Sequence, residues 1–425
     1  MNPSLLSVAP QMMWRYIRKQ QLKPAELRKL QDRKLRALIR HSYEYVPYYH
    51  SLFKAAKLSP DDIRTVNELY KIPVTRKRDI RNLPSEEVVA SDIDSRKCWV
   101  LRTSGTSGTS LAIYWEKKAY LTNQLLTYFW QLKCGDKMTK KRVAIGTSWP
   151  APTSLHKIGI FRTRRISPFD DVKTQIEQIK EYGPYTMHAY PSCLRVLGKE
   201  IMEKDIQGVA MNLLFPTGEL LDEYTRKLAV DVFDADLFDS YGAMEVGRIS
   251  NECVEHDGYH TVGESIIVEV TKDGEPIPAG EEGEVTVTNL VNYAMPFIRY
   301  DLEDLGMLVE GECSCGSYLP RMRLTEGRRS HIMRLPDGRT ISALAVIGVL
   351  NNVQGISQFQ IAQEEIDHFA IRVVRGARFT DKTVEEVGEV SKPILGDVDV
   401  EVSVVPSIPR ETSGKFRPFI TKVPA

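Results

Sequence analysis

The sequence predicts an α/β fold, a large multi-part N-terminal region followed by a small α+β C-terminal domain. Three observations predict it. The length of 425 residues exceeds one ordinary domain and suits a large domain with a smaller partner. Short apolar segments through the middle each lead into a turn or a helical pattern. Near Gly327 the composition shifts through Thr325-Glu326-Gly327-Arg328-Arg329-Ser330, placing the domains at 1–327 and 328–425.

From Pro24 to His41, Leu27, Leu30, Leu35, Leu38 and Ile39 recur near one face of a helix. Val46-Pro47 interrupts it, because proline disfavours a helical residue before it. Short helical pieces alternate with prolines as far as Pro84. Arg142–Gly146, Thr186–Tyr190, Asn212–Phe215 and Ala235–Phe238 then read as strands feeding helices. Beyond Gly263, Ser265–Val270 and Glu284–Leu290 read as antiparallel strands across Lys272-Asp273-Gly274-Glu275. In the C-terminal domain the expected strands are Ile356–Gln363, His368–Val374 and Val398–Val405, with a helix near Thr383–Val390.

Composition excludes several classes. Lys plus Arg number 57 against 56 Asp plus Glu, so no bulk field favours nucleic acid or repels an anionic substrate. No run approaches the roughly 20 apolar residues that cross a bilayer, and Met1–Gln20 lacks the apolar core of a signal peptide. Six cysteines are too sparse for a disulfide scaffold, and a cytoplasmic location is expected. No apolar surface patch that would define an oligomer is identifiable.

Four segments carry chemistry. In Thr103-Ser104-Gly105-Thr106-Ser107-Gly108-Thr109-Ser110, glycines allow tight turning while amides and hydroxyls can donate to phosphate oxygens. It lacks the Lys-Ser/Thr ending of the nucleotide-triphosphatase loop, and a solvated linker would have the same composition. In Tyr241-Gly242-Ala243-Met244-Glu245, a carboxylate can hold Mg²⁺ beside nucleotide phosphates and an aromatic ring can pack on a base. In Arg299-Tyr300-Asp301-Leu302-Glu303-Asp304, Asp301 can accept from ribose hydroxyls, Arg299 can meet an anion, and Glu303 and Asp304 equally suit solvated surface. In Thr412-Ser413-Gly414-Lys415, a lysine on a glycine-containing segment can reach a developing phosphate charge.

Cys253, His260, Cys313 and Cys315 offer thiolates and imidazole suited to tetrahedral Zn²⁺, with His256 as the competing imidazole. Four protein ligands leave no open position, so such a metal is structural rather than catalytic. Four unrelated residues is the competing reading. A Cys313–Cys315 disulfide is unattractive geometrically.

In this order, and preceded by Val46-Pro47-Tyr48-Tyr49, Leu58-Ser59-Pro60-Asp61-Asp62-Ile63 and Lys71-Ile72-Pro73-Val74-Thr75, the motifs resemble the adenylate-forming superfamily. The branch they resemble is that of the phenylacetate–coenzyme A ligases and CapK-like proteins. The resemblance implies a large domain and a small mobile C-terminal domain that rotates between half-reactions. It implies that Thr103 to Ser110 is the ATP phosphate loop, Glu245 the Mg²⁺-linked carboxylate and Tyr241, with Gly242 beside it, the adenine-side aromatic. Asp301 would bind ribose, Arg328 would lie near ribose at the domain junction, and Lys415 would support adenylation. Related chains also carry a Cys/His cluster in the same interval, which favours the zinc reading.

The implied reaction joins a carboxylate to the α-phosphate of ATP, giving acyl-AMP and pyrophosphate. Transfer to coenzyme A is then expected. The alternative acceptor is an amine, giving an amide in polysaccharide or natural-product biosynthesis; transfer of AMP to a cofactor is a third family possibility. Two departures stand out. Met244 occupies a position where a hydroxyl is common, and Ser330 or His331 replaces an acidic hinge residue. They favour a further reading, a non-catalytic nucleotide-binding or scaffold protein. For the acyl pocket, Trp149, His188, Tyr190, Ala243 and Met244 are the candidates, although aromatic residues in an ordinary core would look the same.

Overall fold

The computed structural model describes residues 22–103, 110–147, 159–328 and 332–423. The chain divides into two compact units, Met1–Cys134 with Ser240–Thr325, and Gly135–Asp239 with Glu326–Ala425.

The first unit begins with the helix Pro24–Tyr45, longer than periodicity gives, followed at once by Pro47–Ala55 with proline in its first turn. Leu35, Leu38 and Ile39 of the first helix pack with Tyr49, Phe53 and Ile267. The hairpin Trp99–Arg102 and Ala112–Trp115 brackets the glycine-rich segment and leads to the helix Lys117–Lys133. An eight-stranded sheet completes the unit, in the order 275–276, 266–272, 283–289, 300–309, 321–328, 259–261, 247–252, 240–243. Val268 lies opposite Val287 and Tyr241 opposite Ser250, both in antiparallel pairs. Ile113 and Trp115 join Ile266, Val285 and Met322 in one core.

The second unit holds a five-stranded parallel sheet in the order 163–166, 142–145, 186–189, 213–216, 236–237. Its central strands are buried throughout and mainly apolar, as a parallel sheet covered by helices requires, with Arg142, Thr186 and His188 the buried polar exceptions. Helices Val172–Tyr182, Pro191–Glu203 and Glu223–Phe233 return the chain between strands. The C-terminal segment adds a four-stranded sheet in the order 399–405, 368–375, 356–363, 419–421. Helices Ala343–Asn352 and Asp381–Leu395 close over its core of Val346, Ile361, Phe369 and Val387. Helix Ala343–Asn352 buries Val346, Ile347 and Leu350, and the helix expected at Thr383–Val390 extends to Leu395. Among the described residues no helix is long and apolar enough to cross a membrane.

Candidate active site and metal centre

In the first unit, Thr103 closes the hairpin around the glycine-rich segment. Its amide donates to Leu111 O (3.1 Å), and its hydroxyl accepts from Leu111 N–H (3.0 Å). Ser104, Gly105, Thr106, Ser107, Gly108 and Thr109 lie outside the described residues, as does Trp149.

Glu245 sits in the tight turn between strands Ser240–Ala243 and Gly247–Glu252. A Cβ on Gly242 would come within 2.7 Å of Gly247 O, so the paired antiparallel strands approach there too closely for any side chain. The turn carbonyls are held from outside: Trp115 Nε1 donates to Met244 O (3.2 Å) and Asn289 Nδ2 to Val246 O (2.9 Å). Glu245 is thereby fixed in a buried position, where its Oε1 faces the Tyr300 hydroxyl at 3.4 Å and Lys77 Nζ at 4.0 Å. Burial, with the neighbouring Glu245 charge next, pushes the Tyr300 phenol far up, so it stays a proton donor.

Asp301 is 1% exposed. Its Oδ1 accepts from Glu303 N–H (2.8 Å), and Arg76 Nε lies 3.8 Å from Oδ2. Backbone bonds from Thr75 N–H to Arg299 O (2.9 Å) and from Asp301 N–H to Thr75 O (3.0 Å) seat the Thr75-Arg76-Lys77 segment along this strand. Arg76 and Lys77 thus face the two motif carboxylates, a role sequence reasoning missed. Two cations directly after Pro73-Val74-Thr75 were the available signal.

Tyr241 is buried and its hydroxyl donates to Asp304 (2.6 Å), so Asp304 is a partnered group rather than solvated surface. Arg299 does meet an anion, the protein's own Glu269 (3.2 Å), and donates further to Tyr70 O, Ile72 O and Gly274 O. It is a structural rivet. Arg328 ends the strand Arg321–Arg328, and its side chain lies outside the described residues. Ala243 and Met244 occupy the Glu245 turn, with Met244 exposed.

The sheet order of the first unit also explains the metal candidates. Cys253 follows strand 247–252, His260 lies in strand 259–261, and Cys313 and Cys315 fall between strands 300–309 and 321–328, all neighbours in the sheet. Their donor atoms lie within 4.8 Å of one another. Cys253 Sγ is 3.7 Å from Cys313 Sγ, close to the ~3.8 Å that tetrahedral Zn–S bonds of about 2.3 Å impose. His260 Nδ1 lies 3.2 Å from Leu319 O; donating there leaves Nε2, 3.3 Å from Cys315 Sγ, as a lone-pair ligand. Burial lowers the His260 pKa, favouring the neutral imidazole a metal needs. His256 instead meets Glu252 (3.2 Å) and stays out of the cluster. The donor set fits zinc.

In the second unit, the loop carrying Lys415 lies over the carboxyl ends of the parallel strands, where ligand crevices of such sheets form. Thr147 Oγ1 donates to Ser413 O at 2.6 Å and the Tyr190 hydroxyl to the same oxygen at 3.0 Å. Gly414 has φ +77°, and a Cβ there would strike Pro168 at 2.7 Å. A Cβ on Gly218 would lie 3.2 Å from Lys415 Cε and 3.0 Å from the Tyr190 ring, so glycine at 218 makes room for the lysine stem, while glycine at 414 lets the loop close on Pro168 and Thr147. Tyr190, read from sequence as a pocket candidate, is thus in contact with the lysine loop. His188 is buried and stacked on Phe215 at 5.2 Å.

Residues 333–422 match the family model of the CapK C-terminal domain. The chain is 27% identical over 411 residues to a phenylacetate–coenzyme A ligase of Thermus thermophilus, covering 89% of this chain and 84% of that protein. It is 28% identical to the Escherichia coli enzyme of the same name, covering 67% of this chain and 68% of the other. A 2-hydroxyisobutyryl-CoA ligase solved with R3-HIB-AMP shares the fold, with TM-score 0.78 and 18% identity over 95% of this chain and 91% of that one. Over most of its length the chain is similar, at moderate identity, to phenylacetate–coenzyme A ligases of the adenylate-forming superfamily.

Proposed function

We propose that the protein activates a carboxylic acid with ATP and passes the acyl group to coenzyme A. The observation that carries this reading is the Lys415 loop, clamped by Thr147 and Tyr190 over the ends of the parallel strands. The substrate carboxylate is already ionised near neutral pH and needs no base. One of its oxygens bonds to the α-phosphorus as the bond to the bridging oxygen breaks, releasing pyrophosphate. The thiolate of coenzyme A, its proton lost to solvent, then bonds to the acyl carbon and AMP departs.

The chain's contribution is alignment and charge. Lys415 offsets charge on the phosphates during the first step. Thr103 shapes the phosphate segment, Tyr241 with Gly242 packs beside adenine, and Asp301 accepts from ribose. Arg328 lies near ribose. Glu245 is the residue that would hold Mg²⁺, whose chemistry there is neutralisation of phosphate charge. Ser104 to Thr109 supply amides to phosphate, and Trp149, His188, Tyr190, Ala243 and Met244 are the candidates around the acyl group. Cys253, His260, Cys313 and Cys315 are the residues that would hold a structural Zn²⁺. Residues 1–327 form the large domain and 328–425 the small mobile one.

The match to the CapK C-terminal domain favours a second reading, in which an amine accepts the acyl group. The test is ATP consumption and pyrophosphate release across a pool of carboxylic acids, with products identified by mass spectrometry with and without coenzyme A. Acid-dependent AMP, pyrophosphate and thioester are expected. Amide formation independent of coenzyme A would select the second reading, and ATP binding without pyrophosphate would overturn both. Lys415→Ala should lower pyrophosphate release by about 100-fold while ATP affinity, read by calorimetry, changes less than about threefold.

A further inference from the structure

Glu219 lies outside every motif discussed so far. It follows strand Leu213–Pro216 and faces the start of helix Pro191–Glu203. Its Oε2 accepts from Ser192 N–H (2.9 Å) and its Oε1 from the Ser192 hydroxyl (3.0 Å). The same Oε1 accepts from the backbone N–H of Phe416 (2.6 Å), the residue after Lys415. Arg410 completes the arrangement, donating to the Ser192 hydroxyl (2.7 Å) and to Gly414 O (3.2 Å). Phe416 is itself buried. A single carboxylate thus joins a fixed helix start to the main chain of the lysine loop, through short charge-assisted bonds.

We infer that Glu219 is a positioning residue for the first half-reaction, holding the Lys415 loop in register through the Phe416 amide. The inference rests on the ATP-dependent reading above. Lys415 is required where pyrophosphate charge develops, in adenylation; thioester formation from acyl-AMP releases no pyrophosphate. Glu219 acts through Lys415, so its loss weighs on the first step alone.

Three measurements on the full-length protein test this. Hydrogen exchange read by mass spectrometry reports the 411–417 segment without any turnover. Glu219→Ala should speed exchange there by about tenfold or more, and Glu219→Gln, which keeps one acceptor oxygen for Phe416, should restore much of the protection. Acid-dependent pyrophosphate release should fall about 30-fold in Glu219→Ala with KM for ATP nearly constant, while synthetic acyl-AMP and coenzyme A still give thioester at close to the wild-type rate. Glu219→Ala combined with Lys415→Ala should be little slower than Lys415→Ala alone, since one residue acts through the other. Unchanged exchange in Glu219→Ala overturns the inference. So do equal losses in both half-reactions, or additive losses in the double variant. Should the wild-type protein release no acid-dependent pyrophosphate, the functional reading fails, and the exchange comparison alone upholds or overturns the tie.

Discussion

Arg299 has a left-handed backbone (φ +46°) at 1% exposure, and its guanidinium is fully engaged by Glu269 and three carbonyls. Removing one partner of such a pair leaves the other charge buried, which costs more than the pair contributes. Arg299→Met should lower unfolding free energy by about 3–5 kcal/mol in urea titration, and adding Glu269→Leu should recover part of that. The residue types in Arg299-Tyr300-Asp301-Leu302-Glu303-Asp304 were legible as chemistry, but their partners were not. Chain adjacency does not reveal that Arg299 turns back to Tyr70 and Ile72, or that Asp304 reaches Tyr241, because both bonds span long sequence separations. The metal set was legible because thiol and imidazole chemistry is specific. The choice of His260 over His256 needed the strand pairing that aims one ring inward.

Among the elements, helix Pro191–Glu203 carries the most unusual load. Its Lys199 is buried, donates to Ile356 O (2.9 Å) and lies 5.4 Å from the Tyr224 ring centre, and burial pulls its pKa down to about 8. The ordinary lysine value is 10.5, so between about pH 8 and 10.5 the unfolded chain binds more protons than the folded one. Stability relative to Lys199→Met should therefore rise with pH through that window and level off below about 8, measured by parallel denaturation series. The opposite slope would mean the ammonium is stabilised in place. Strands such as Ile356–Gln363 were legible directly from alternation and bounding turns. Tyr300–Val309 was not, because its acidic residues interrupt the apolar pattern and Glu303 has a positive φ. The hairpin around the glycine-rich segment was also missed, since its first strand is largely exposed and shows no buried stripe.

At the scale of the whole molecule, each compact unit has cores of its own, one centred on Ile113, Ile266 and Val285, others on Leu197 and Leu214 and on Ile361 and Phe369. Unfolding should then depart from a single two-state transition in calorimetry. Because Cys253, His260, Cys313 and Cys315 all belong to the first unit, metal removal by a strong chelator should lower only the transition of that unit. A uniform shift of every transition would count against two independently cooperative units. The broad α/β reading and the compositional shift near Gly327 were legible in the sequence. The interleaving was not, because nothing local marks Gly135 and Asp239 as ends of an inserted module.

That interleaving has a consequence during synthesis. Trp115 meets its core neighbour Ile266 only after about 150 further residues have left the ribosome, and Met322 only after about 210. At about 5–20 residues per second, the full wait is roughly 10–40 s. The inserted parallel sheet can pair its strands meanwhile, but the N-terminal hairpin waits with its apolar face uncovered. The nascent chain is thus a client for holding chaperones over one defined window, which closes once the strand ending at Arg328 emerges.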